Sequence, residues 1–193
     1  TDKKSVKIVE MFLSGDLNKN IVSSINNQGG SGVGISGKDA ALVICEKDNP
    51  ELGFVGKPIH INTKLITTLV ENDFIPVISP IGTNEEGETF NINADTMAGT
   101  IASALKADRL LLLTDVSGVK DKSGNKIEKA STEAIKKLIK ENVIKDGMIP
   151  KVNTAIDSIE KGVRAVVILD GSIQNACLLE LFTDHGVGTL IRK

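Results

Sequence analysis

The chain has 193 residues, a formal net charge of −2 and only 3% aromatic residues, all of them Phe. Without surplus basic charge nothing drives it onto a nucleic-acid backbone or an anionic membrane surface, and without Trp or Tyr it lacks a stacking platform for single strands and an interfacial belt. No apolar run nears the roughly 18 residues of a membrane span, and Cys45 and Cys177 are too few and too far apart for a disulfide framework or a metal knuckle, a usage that fits a reducing compartment. The length suits one α/β domain, since domains run to roughly 100–200 residues.

In chain order, residues 5–27 read as two amphipathic helices broken near Gly15-Asp16, with Val6, Val9, Phe12 and Leu13 and then Ile21, Val22 and Ile25 as their apolar stripes. Residues 29–39 are glycine-rich around a short apolar core at 33–35, and 40–45 continue as a strand. Turn chemistry at 47–50 and an extended stretch at 54–61 make a β-hairpin, and Asn62 caps a helix reaching Glu71. The pattern then alternates. Residues 74–81 form a buried strand, 95–107 a helix, 109–116 a second buried strand, 132–140 and 151–161 helices, 164–169 a third apolar strand, 176–182 a helix and 189–191 a short last strand. Strands apolar on both faces alternating with helices predict an α/β fold, a three-layer αβα sandwich around a mostly parallel sheet.

Gly32 to Gly37 matches G-x-G-x-x-G and Gly32 to Lys38 matches G-x4-G-K, so dinucleotide and phosphate-loop readings both arise. Neither fits its context. A dinucleotide fingerprint should open a helix, yet the segment leads into a β-like stretch. A phosphate loop needs Ser or Thr after the lysine, and Asp39 stands there. A tight strand–turn–strand connection is the better reading.

Three segments differ from scaffold. Asn91-Ile92-Asn93-Ala94-Asp95 is a polar cluster opening a helix, able to hold a carboxylate or phosphate, or simply to cap the helix through Asn93 and Asp95. Thr114-Asp115-Val116-Ser117-Gly118-Val119 lies at the carboxyl end of the most apolar strand, where open α/β sheets bind ligands; the plainer reading is an Asp/Ser/Gly loop. Asp146-Gly147-Met148-Ile149-Pro150-Lys151 puts a cation near a helix start, where an anionic partner would offset its unfavourable position, or where the lysine is merely solvated.

With LGFVGK at 52–57, GISGKD at 34–39 and LLELFTDHGVGTLI at 178–191, the runs NINAD, TDVSGVKD and DGMIPKV resemble the amino acid kinase family, specifically those members that act on N-acetyl-L-glutamate. The likeness spans essentially the whole chain. It implies phosphoryl transfer from ATP to the γ-carboxylate of N-acetyl-L-glutamate, a step of arginine biosynthesis, in the cytoplasm or plastid stroma. Siblings acting on acetylaminoadipate, carbamate, aspartate or UMP are the enzymatic alternatives, and a non-catalytic nucleotide- or arginine-binding module is the alternative of another class. On the family pattern Lys151 stabilises the transition state, Asp95 orients the catalytic lysines and Asn91 binds acetylglutamate. Asp115, Gly118, Val143, Ile144 and Lys145 line the nucleotide pocket, and Mg²⁺ is carried mainly by the ATP phosphates without a protein metal site. Residues up to about 90 would belong to the acetylglutamate-binding and dimerisation lobe and 91–193 to the nucleotide lobe. Expected partners are a second copy, as a homodimer or a hexamer of dimers, and a PII-type signalling protein.

The chain departs from that pattern in two places. It starts at Thr1-Asp2, whereas the family has upstream strands, a second catalytic lysine in a Lys-x-Gly-Gly context, a further Gly-Gly loop and an arginine just before the Thr-Asp pair. The expectation is a chain lacking its N-terminal strands and catalytically incomplete alone. Asn175 also replaces a His common to arginine-sensitive members, although Glu180 and the 186–188 segment are kept, which counts against arginine feedback.

Overall fold

The computed structural model describes residues 1–193, and the chain divides into two compact units, Thr1–Met97 and Ala98–Lys193.

The first unit opens with helix α1, Lys3–Glu10. Asp2 caps it, accepting from the Ser5 and Lys4 N–H groups at 2.8 Å each, and those bonds hold its carboxyl below the usual range. The predicted break at Gly15-Asp16 is absent. The helix continues through a π-helical stretch, Met11–Leu17, into α2, Asn18–Asn27. There the Leu13 carbonyl, already accepting from the Asn18 N–H across the wider π turn, also accepts from Ser79 Oγ at 3.1 Å. Just beyond, buried Asn18 donates through Nδ2 to the Val77 carbonyl at 2.9 Å and to Ser79 Oγ at 3.1 Å. The turn that glycine and aspartate announce is thus absorbed by partners far away in sequence.

Strands β1, Gly32–Ser36, and β4, Ile75–Ser79, pair in parallel with Ser36 opposite Ser79. Between them lie β2, Val43–Lys47, β3, Gly56–Ile61, and helix α3, Lys64–Glu71. The predicted hairpin is present: β2 and β3 pair antiparallel. With β5, Ile81–Thr83, and β6, Thr89–Asn91, they form a sheet ordered β3-β2-β5-β6. Two strand expectations need correction. The stretch 40–45 begins as a strand only at Val43, because Ala40 and Ala41 both adopt the left-handed conformation, φ 51°. The stretch 74–81 is divided between two sheets at Pro80, which has no N–H for a ladder. Phe74 and Ile75 stay exposed, since β4 pairs with β1 alone. Asn62 is not the cap the sequence suggests: Thr63 is the N-cap of α3 without a side-chain cap bond, and Asn62, one residue earlier, accepts from the Lys64 N–H at 3.3 Å and donates to the Ala40 carbonyl at 3.0 Å.

In the second unit β7, Leu110–Thr114, β8, Lys129–Ser131, β9, Val166–Asp170, and β10, Thr189–Arg192, form one sheet ordered β7-β9-β10-β8. Helix α4, Ala94–Ala104, runs into this unit; α5, Thr132–Lys140, α6, Met148–Glu160, and α7, Ala176–Phe182, lie wholly within it. Leu110, Leu112, Val166, Ile168 and Ile191 pack against Ala102 of α4, Ile135 of α5 and Val152, Ala155, Ile156 and Ile159 of α6. On the opposite face Val167 and Leu169 meet Ala176 of α7. This unit is therefore layered helix, sheet, helix, which is why β9 can be apolar at successive positions. The α/β class is as expected, with parallel pairs β1/β4, β2/β5, β7/β9 and β8/β10 beside antiparallel pairs β2/β3, β5/β6 and β9/β10. Helix α6 starts three residues earlier than expected, with Pro150 in its first turn, where a missing N–H costs nothing.

Candidate nucleotide pocket and phosphoryl-transfer residues

At the carboxyl end of β7 the chain leaves the sheet through Thr114 and Asp115 and turns at Gly118, whose φ of 131° is closed to most L side chains. Residues 118–127 then fold back on themselves. The Ile127 N–H donates to the Val119 carbonyl at 2.8 Å, Lys120 bridges to Lys126, and the Asp121 carboxylate ties the tip by accepting from the Ser123 and Asn125 N–H groups. Facing this hairpin is the turn after α5. Left-handed Asn142, φ 53°, ends that helix, and the Val143 and Ile144 N–H groups both donate to the Leu138 carbonyl. Left-handed Asp146, φ 47°, then re-aims the chain into α6.

Hairpin and turn enclose a pocket of about 220 Å³. Of the expected nucleotide residues, Gly118, Val143, Ile144 and Lys145 line it. Asp115 does not: it is exposed beside the pocket and accepts from Thr114 Oγ1 at 3.2 Å. Lys120 and Met148 complete the wall with Val116 and Val119; none of the four was named as a nucleotide residue, although Val116, Val119 and Met148 lie within the three segments singled out and only Lys120 lies outside them. Lys120 lies within the TDVSGVKD run and could have been picked out as the cation nearest the glycine turn; Met148 is visible only once α6 is known to start there. Aliphatic walls with ammonium groups of Lys120 and Lys145 at the edge suit an apolar ring carrying an anionic group.

In the first unit Asn91 ends β6, half-buried, opposite Ile81, with its N–H on the Phe54 carbonyl at 2.9 Å. The capping reading holds for Asn93, whose Oδ1 accepts from the Thr96 N–H at 3.0 Å and Oγ1 at 3.3 Å. Asp95 is half-buried in the first turn of α4, at the positive end of the helix dipole. Lys151, in the second unit, is half-buried in α6. Because α6 begins at Met148, Lys151 stands one position beyond its first three residues, so the expected conflict with the helix dipole is weaker than a helix starting at 151 would impose.

The glycine-rich match is closed to phosphate by its own carboxylate. Asp39 Oδ2 accepts from the Ser36 N–H at 2.6 Å and Ser36 Oγ at 2.9 Å, while Lys38 Nζ is spent on Glu10 at 2.7 Å and on Thr89 Oγ1 at 3.0 Å. At the far end of the chain, buried Glu180 accepts from the Val187 N–H at 2.8 Å and the Gly188 N–H at 3.1 Å, and Asn175 is left-handed at the start of α7, φ 59°. No three His, Cys, Asp or Glu side chains are grouped to hold a metal ion, and no helix is long and apolar enough to cross a membrane.

The profile of the amino acid kinase family matches residues 1–170. The acetylglutamate kinase of Ruegeria pomeroyi is 58% identical over 193 residues, which make up 100% of this chain and 67% of that protein. The acetylglutamate kinase of Dinoroseobacter shibae is 56% identical, with the same shares covered. The crystal structure of smu.665 from Streptococcus mutans superimposes with a TM-score of 0.84 at 33% identity, over 100% of this chain and 73% of that one. The chain thus spans about two thirds of the length of these two kinases.

Proposed function

The chain belongs to the amino acid kinase family, and on that footing we propose that it catalyses, as part of an acetylglutamate kinase, ATP-dependent phosphorylation of the γ-carboxylate of N-acetyl-L-glutamate in arginine biosynthesis. The observation that carries this reading is the pocket beyond β7, in which Gly118, Val143, Ile144 and Lys145 converge from two separate loops around a space with aliphatic walls and cationic rims.

The chemistry asks little of the protein. A γ-carboxylate is already ionised at neutral pH, so no general base is needed, and catalysis reduces to alignment and neutralisation of charge on the transferred group. Lys151 supplies a point charge to the moving phosphoryl group. Asp95 orients the catalytic lysines, and Asn91 hydrogen-bonds acetylglutamate. The pocket takes the adenine end of ATP, with Lys120 and Lys145 toward its phosphates. Mg²⁺ travels with the nucleotide, spreading phosphate charge. Residues up to about 90 serve acetylglutamate and self-association, and 91–193 the nucleotide. Self-association as a dimer, or as a hexamer of dimers, is supported by Ile8, Met11, Phe12 and Ile21, all exposed along the first helix, an apolar run that water disfavours. Contact with a PII-type protein and a cytoplasmic or stromal location complete the reading.

Two measurements test it. Calorimetry on the 193-residue chain with ATP or ADP and Mg²⁺ is expected to show one nucleotide site, and absence of binding would overturn the reading. Turnover, followed as ADP release and as acyl phosphate trapped by hydroxylamine, belongs to the polypeptide read from the whole gene. There Lys151→Ala is expected to lower kcat by about 10²–10³-fold, the loss typical of removing one transition-state donor. A panel with acetylaminoadipate, carbamate, aspartate and UMP should leave acetylglutamate as the preferred acceptor.

A further inference from the structure

Thr189 is a polar side chain from outside the hairpin walling the pocket that joins both its arms. It is fully buried at the start of β10. Its hydroxyl donates to the Ile127 carbonyl at 2.6 Å, on the returning arm, and accepts from the Val119 N–H at 2.9 Å, on the outgoing arm. One oxygen thereby serves as donor and acceptor at once, a use open only to a hydroxyl at this position. The same atom lies where a side chain on Gly118 would have to go: a Cβ there would come within 2.5 Å of Thr189 Oγ1. Thr189 also stands next to a pinned loop, because buried Glu180 holds the Val187 and Gly188 N–H groups immediately before it. The hydroxyl is thus fixed from the β10 side, and the pocket wall is fixed to the hydroxyl.

We infer that Thr189 is a positioning residue for nucleotide binding: although it does not line the pocket, its hydroxyl sets the distance of the Gly118–Val119 wall from the facing Val143–Lys145 turn. The inference rests on the reading of this pocket as the nucleotide site. Replacing the hydroxyl by a methyl in Thr189→Val keeps the volume but leaves a buried N–H and a half-buried carbonyl without this partner, a loss the hairpin relieves by moving toward water. Thr189→Ser keeps the oxygen and drops only the methyl.

The experiment is calorimetric titration of the 193-residue chain with ADP and with a non-hydrolysable ATP analogue, both with Mg²⁺, alongside amide hydrogen exchange at Val119. Thr189→Val is expected to weaken nucleotide binding at least tenfold and to speed exchange of the Val119 amide, and Thr189→Ser to stay within threefold of the parent. Should Thr189→Val not fold, Thr189→Cys, with a thiol that bonds weakly, takes its place with the same expectation. A parent that binds nucleotide while the folded Val or Cys variant binds equally well overturns the positioning role. So does a Ser variant as weak as the Val one, which would assign the effect to packing. A parent that binds no nucleotide overturns the reading of the pocket itself, and this inference with it.

Discussion

Gly99 of α4 lies against Thr154 and Ser158 of α6. A methyl built there would lie 2.6 Å from Thr154 Cγ2 and 2.8 Å from Ser158 Oγ, well inside contact distance. The Gly99 carbonyl already accepts from Ser103 Oγ at 2.7 Å and Ser158 Oγ at 3.4 Å, so the helices are held as well as close. In an open helix Gly→Ala stabilises by about 1 kcal/mol. Overpacking in a tight site costs about 1–3 kcal/mol, so Gly99→Ala should destabilise by roughly 0–2 kcal/mol net. At about 2–4 °C per kcal/mol for a chain of this size, thermal unfolding followed by circular dichroism should show a Tm lowered by up to about 8 °C. The cause can be isolated. Thr154→Ser removes Cγ2, and in the double variant at least half of the lost Tm should return, a coupling of about 0.5–1.5 kcal/mol in a double-mutant cycle. An alanine variant more stable than the parent by the full helix-propensity gain would refute the close crossing, and a Thr154→Ser effect that merely adds would refute the assignment to Cγ2.

Gly118→Ala forces an L side chain into φ 131° and onto Thr189 Oγ1; a stability loss of about 2–4 kcal/mol by urea titration and at least tenfold weaker nucleotide binding are expected, with parental values counting against the wall geometry. Burial pushes the Cys45 thiol up to about 11. The neutral thiol is therefore favoured in the folded state, and its contribution, complete below the unfolded pKa of about 8.5, is lost as pH rises toward 11. Urea midpoints should fall across that interval in the parent and less in Cys45→Ala, and a thiol reagent at pH 8 should modify half-buried Cys177 long before Cys45; equal rates would sink the claim. Glu180→Ala strands the Val187 and Gly188 N–H groups and should cost about 1–3 kcal/mol, whereas Glu180→Gln, which keeps an acceptor oxygen, should cost less; identical urea midpoints for the two would show that the carboxylate oxygen does not hold the loop.

What could be read in the sequence follows from range. Helix α5 and helix α7 match their expected limits because Ser131, whose Oγ accepts from the Ala134 N–H at 3.2 Å, and the apolar spacing are local signals. The pocket residues 143–145 were legible as part of a family pattern, and their geometry has a local cause, the left-handed Asn142 that closes α5. The π stretch was not legible. Its supports, Ser79 on the Leu13 carbonyl and Asn18 on Val77 and Ser79, are 59 to 66 residues away in sequence, and a glycine beside an aspartate reads as a break unless those partners are known. The same holds for 74–81, where seven apolar or proline positions suggest one strand but Pro80 passes the chain from one sheet to another.

The two units also differ in how their polar groups are used, and the difference bears on the chemistry. In the second unit the buried Thr189 hydroxyl is spent on the hairpin that frames the pocket and buried Glu180 on the loop just before Thr189, while the pocket's cations, Lys120 and Lys145, are exposed at the rim. In the first unit the most conspicuous phosphate-like motif spends its carboxylate and its lysine on itself and its neighbours. A loop whose N–H and hydroxyl groups already hold an internal carboxylate would have to give up those bonds to take a phosphate. A loop whose backbone is fixed from behind, with its charges free to face outward, needs no such exchange. That is the physical ground on which we propose the nucleotide site at Gly118 and Lys145, where the glycine serves conformation, rather than at Gly32–Lys38, where the glycine spacing only imitates a phosphate site.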